Sequence, residues 1–132
     1  MTKFTLPLHK HAEYSSVVWR NSGTYKDVRY AVRKISLAQR IEMAERIQEL
    51  SSKYEFLKAG DALEQAQAHL ADLLVRKLYL QWGLAALEGL IIDGAKASVE
   101  LLIEKGPELL CEEIISSIRA EFELSENERK NS

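Results

Sequence analysis

Residues 82–98 read WGLAALEGLIIDGAKAS, an apolar run broken by three glycines and an Asp-Gly pair. This stretch limits the fold most, because glycine in a helix interior is about 1 kcal/mol worse than alanine. Gly83 and Gly89 therefore argue against one continuous helix. Asp93-Gly94 is a two-residue turn signal, so residues 90–97 are expected to form a tight turn or a small hairpin. Ser98 then reads as the N-cap of a third helix, 99–105, that stops at Gly106. Pro107 suits the first turn of a fourth helix with a stripe at Leu110, Ile114, Ile118 and Phe122.

Two longer helices are expected upstream. Ser36 with Gln39 forms a capping-box pattern, and Ile41, Ala44, Ile47, Leu50, Tyr54 and Leu57 read as one apolar stripe ending at Gly60. Asp61 with Glu64 opens the second helix, striped by Leu63, Ala66, Leu70, Leu73, Leu74, Lys77 and Leu78. Burial should deepen toward Tyr79, Leu80 and Trp82. Before the helices, Val28, Tyr30 and Val32 alternate with Arg29, Ala31 and Arg33, the period of a half-buried strand. Residues 14–20 and 24–33 are expected to pair as a β-hairpin around Asn21-Ser22-Gly23, with Gly23 free to take a positive φ. Residues 1–13 read as irregular; KFTLPL alternates, but Pro7 confines it to an edge. The expected class is α+β, a mainly α-helical single domain over 1–132. It comprises a hairpin at 14–33, a helical body at 36–124 with a turn unit near 90–97, and a polar tail at 125–132.

Composition and charge narrow the chemistry. One cysteine among 132 residues permits no intrachain disulfide and no CxxC zinc site, which points to a reducing, intracellular setting. No apolar run reaches the ~18 residues of a membrane helix and no signal-peptide core is visible, so a soluble cytoplasmic protein is expected. The net charge of −2 hides an asymmetry. Residues 1–40 hold eight Lys or Arg against two Asp or Glu, and the remainder ten against eighteen. Such a division suits a nucleic-acid face or protomers that meet through opposite charges.

The candidate reactive groups are few. His9 and His11 flank Lys10, but a third ligand would have to be His69 from a helix interior, so no metal site is expected. Cys111 lies beside Glu112 and Glu113, which raise a thiol pKa, the reverse of what a nucleophile needs. No G-x-S-x-G, P-loop, GxGxxG or HExxH pattern occurs, and neither an enzyme nor a cofactor is expected. Arg20, Lys26, Arg29, Arg33 and Lys34 form a candidate basic patch, with Trp19 and Tyr25 available for stacking. Tyr30 alternates with the arginines and should face the core. The apolar surplus from Trp82 through Leu84, Leu87 and Leu90 to Ile92 is the candidate protein-binding patch, too much for one side of so short a segment.

The order of a hairpin with an SG turn, VRKISLAQR, YLQWGLAALEGLIIDGAKASVELLIEK and PELLCEEIISSI resembles the tail assembly chaperones of long-tailed bacteriophages and prophages. The resemblance rests on Ser22-Gly23, Arg33, Ser36, Trp82-Gly83 and Asp93-Gly94. It implies a cytoplasmic holdase of the bacterial host that coats a tape-measure-like helical polypeptide; self-association is expected from the apolar patch and the charge division instead. The expected function is thus a non-enzymatic protein-binding assembly factor. The alternatives are a basic-patch nucleic-acid-binding regulator and a small phage structural subunit.

Overall fold

The computed structural model describes residues 10–54 and 61–130. In chain order these form β1 (Val17–Asn21), β2 (Arg29–Arg33), α1 (Leu37–Tyr54), α2 (Ala62–Gly83), β3 (Leu84–Glu88), β4 (Ile91–Ile92), β5 (Ala95–Lys96), α3 (Val99–Lys105) and α4 (Glu108–Lys130). The class is α+β and mainly helical, as expected. The readings of KFTLPL and of the stop at Gly60 lie outside the described residues.

The helix starts follow their caps. The Ser36 hydroxyl accepts from Gln39 N at 3.1 Å while Gln39 Oε1 accepts from Ser36 N at 3.2 Å, a reciprocal capping box. Asp61 Oδ1 accepts from Glu64 N, and Ser98 Oγ from Leu101 N. At the C-terminal end, residues 125–130 continue α4 instead of forming a separate tail.

The β-hairpin is present, with Val17 opposite Arg33 and Asn21 opposite Arg29, but it belongs to a larger sheet. Leu84–Glu88 pairs antiparallel with β2, giving the order β1-β2-β3. This third strand was not anticipated. Leu-Ala-Ala-Leu-Glu has helical composition, and only the neighbouring β2 makes it a strand. The register shifts between Ala31 and Val32, which face Ala86 and Leu84, so Ala85 is the extra residue of a β-bulge. At the hairpin tip the positive φ falls on Asp27 (68°), not on Gly23. The Asp93-Gly94 turn joins β4 to β5, both residues having positive φ (49° and 81°), the type I′ arrangement of a tight hairpin.

The core lies between the sheet, α3, α4 and the last turn of α2. Tyr30, Val32, Leu84, Leu102, Leu110 and Ile114 are all but fully enclosed in it. Two glycines allow its close approaches. A Cβ on Gly83 would lie 2.5 Å from Ile118 Cγ2, so α2 crosses α4 at the one position without a side chain. Gly89 has φ +84°, and a Cβ there would collide with the Asp27 carbonyl.

Candidate protein-binding surface

The segment expected to carry surplus apolar surface mostly supplies the core, which corrects the sequence reading. Leu84, Leu87 and Ile92 are buried, and Trp82 and Leu90 are half-buried. The residues are too many for one side of one element, but they do not sit on one element. β3 applies Leu84 and Leu87 to the core from the sheet, and the β4–β5 hairpin applies Ile92 from another side. Trp82 lines a small apolar void with Met43, Ile118 and Phe122. Ile91, 65% exposed, is the large side chain of the run left in water.

Apart from Ile91 and Leu109 of α4, the exposed large aliphatic side chains among the described residues lie on α1 and α2. On α2, Leu63, Leu70 and Leu73 are 69%, 47% and 41% exposed. Spacings of seven and three place them within about 80° of one another around the helix. The same line continues to Lys77 and the buried Leu80, so it meets the core at the C-terminal end of α2 and runs out into solvent over the first three turns. Burial deepens toward Leu80, as expected. The buried positions of the outer turns are Ala68 and Ala71, which point the opposite way.

On α1 the part of the stripe from Ile41 to Leu50 is corrected, while the Tyr54 side chain and Leu57 lie outside the described residues. Nine residues of helix turn through two and a half revolutions, about 180°, so Ile41 and Leu50 lie on opposite sides. Met43 is buried, Ile47 and Leu50 are half-buried, and Leu37 and Ile41 are exposed. Both helices therefore have one apolar face used within the chain and another with no cover among the described residues.

The basic candidates are brought to the sheet, where four of the five are engaged by the chain itself. Arg20 pairs with Glu121 of α4 at 2.9 Å. Arg29 stacks on the Trp19 ring at 4.4 Å and reaches Glu88 at 3.4 Å. Lys34 lies over the Tyr14 ring. Arg33 Nη1 donates to the carbonyl oxygens of Trp82 and Leu84, both at 3.1 Å. The last turn of α2 has no basic residue of its own, and Arg33 supplies the missing cation at that negative end of the helix dipole. Lys26 is exposed in the tip loop. The charge asymmetry thus closes in part within one chain, basic hairpin against acidic α4.

Glu113 completes that closure. Its carboxylate accepts from Ser22 Oγ, Gly23 N, Thr24 N and the Tyr30 hydroxyl, at 2.9–3.2 Å. Burial alone would raise its pKa, but hydrogen bonds from Thr24, Ser22, Tyr30 and Gly23 outweigh this and hold it below the usual carboxylate range. Burial raises the Tyr30 hydroxyl and also the Cys111 thiol, the latter further raised by Glu112 and Glu108. A raised thiol pKa keeps Cys111 protonated near neutrality.

His9 lies outside the described residues, and among the described residues no group of three His, Cys, Asp or Glu comes together. No described helix is long and apolar enough to cross a membrane. The roles of Arg33 and Glu113 are non-local, and the sequence holds no signal for either beyond the residue types. The chain matches no protein-family model, no curated protein and no solved structure.

Proposed function

We propose that this protein is a non-enzymatic assembly factor that holds an amphipathic helix of another polypeptide against the outer turns of α2. The observation that carries the reading is the row Leu63, Leu70 and Leu73, aligned at coiled-coil spacing and without cover among the described residues. Such a row fits the helix-in-groove mode of recognition, in which an apolar helix face lies along apolar anchors. The resemblance to phage tail assembly chaperones supplies a client of that chemistry, a long tape-measure-like helix, and a bacterial cytoplasm as the place of action. The engagement of Arg20, Arg29, Arg33 and Lys34 within the chain counts against a nucleic-acid regulator.

The test is titration of the protein with a labelled amphipathic helical peptide carrying leucine at every a and d position. Wild type is expected to bind, and the double variant Leu70→Asp/Leu73→Asp to lose binding with its circular dichroism unchanged. Equal binding by both proteins overturns the assignment. So does a wild type that ignores the peptide but binds DNA with steep salt dependence.

A further inference from the structure

The line of the α2 row passes Leu73 and enters a groove. Lys77 lies seven residues beyond Leu70, and Gln81 four beyond Lys77. Both fall inside the sector of about 80° that holds Leu63, Leu70 and Leu73. α2 is one helix from Ala62 to Gly83, so a straight line joins all five. Lys77 and Gln81 are also the α2 wall of a groove of ≈510 Å³ whose other sides come from β3 and α3. Row and groove therefore open on the same side of α2.

The charges around the groove balance, Lys77 and Arg33 against Glu100 and Glu104. Such a rim favours no ionic partner of one sign, so its apolar side chains decide what enters. These are the bulge residue Ala85 and, one turn apart on α3, Val99 and Ile103, all three half-buried. Lys77 bridges row and groove, since a lysine stem is apolar while its ammonium reaches water. The distances set a length. Leu63 to Leu73 is ten residues, about 15 Å, and Leu63 to Gln81 is eighteen, about 27 Å or five turns. A helix of the usual globular length, about 11–12 residues, covers the row and stops short of the groove.

We propose that row and groove are one channel, and that its occupant is a single unbroken amphipathic helix of about five turns or more. Its apolar face lies on Leu63, Leu70 and Leu73 at one end and on Ala85, Val99 and Ile103 at the other. The inference rests on the assignment of the α2 row and adds the length of the client: the channel selects the long helices of extended, coiled-coil-like polypeptides over the short helices of globular domains. A helix that reaches the groove makes the second contact without losing translational and rotational freedom a second time, so affinity rises steeply between the two lengths.

The experiment titrates the full chain with two labelled peptides carrying leucine at every a and d position, one of about four turns and one of about seven, both stapled so that each is helical. Wild type is expected to bind the longer one about tenfold or more tightly, as a second apolar anchor provides. Ile103→Asp should remove that advantage and leave the affinity for the shorter peptide unchanged. Ile103 also packs against the core, so Ala85→Arg, which fills the groove from the bulge, is the second variant and should give the same result. Leu70→Asp should abolish binding of both peptides. The length claim alone is overturned if wild type binds both peptides equally, if Ala85→Arg keeps the longer peptide's advantage, or if it weakens both alike. A wild type that binds neither peptide, or a Leu70→Asp variant that binds both as before, overturns the α2 assignment and the length claim with it.

Discussion

Tyr30, Leu102, Leu110 and Ile114 are sealed between the sheet and α4, while thirty to fifty residues away Leu63, Leu70 and Leu73 stand in water. In the first region large apolar side chains point inward, and the polar groups around them are matched across elements: Arg20 to Glu121, Arg33 to two carbonyls, and Glu113 to the hairpin tip. In the second, alanines face inward and leucines outward. An alanine buries little area and contributes little to folding, at ~25 cal/mol per Å² of apolar surface. The difference separates what the fold needs from what it presents. Residues that close the core should be costly to change, and those on the outer turns of α2 should be nearly free to change as far as stability is concerned.

The contrast can be broken most directly at Trp82. Trp82→Ala should lower stability by about 3 kcal/mol in urea unfolding, because it enlarges the void beside Met43 and Ile118. An unchanged midpoint would place Trp82 outside the packed region. Gly89→Ala should cost about 2 kcal/mol or more, since φ +84° and the Asp27 carbonyl both oppose a side chain. Arg33→Ala should cost about 1–3 kcal/mol by leaving two carbonyl groups unpaired. Arg33→Lys should recover only part of this, lacking the planar fork. A smaller effect attaches to Glu113. Its folded pKa is depressed, so its contribution is complete above the unfolded value of about 4.3 and is lost as pH falls through the folded one. Glu113→Gln should therefore flatten the acid limb of stability against pH, and an unaltered limb would mean that the hairpin tip does not depend on the Glu113 carboxylate. The least effect is expected at Leu70. Leu70→Asp should shift stability by no more than about 0.5 kcal/mol, and a large loss there would mean that α2 packs against something within the chain.

Much of this arrangement is legible in the sequence because it is local. The Ser36–Gln39 box, the Asp61 and Ser98 caps, the Asp93-Gly94 turn and the alternation of β2 each depend on residues a few positions apart. What is not legible depends on distant partners. β3 is a strand only because β2 is beside it, and Arg33 looks like a surface cation until the end of α2 arrives next to it. The apolar run at 82–92 misleads for the same reason, since a surplus on a linear segment ceases to be one when the segment divides between two sheets. On α1, the three successive spacings of three from Ile41 to Leu50 walk around the helix, and only the structure reveals which part of that spiral is covered.

The carboxylate of Glu113 also sets an order of events. Ser22, Gly23 and Thr24 find their acceptor about ninety positions further along the chain, and β2 must wait for residues 84–88 before its second edge is closed. On a ribosome that releases β1 and β2 before α4, these early strands are among the last to be completed, and their sheet stays unfinished until α4 has left the exit tunnel.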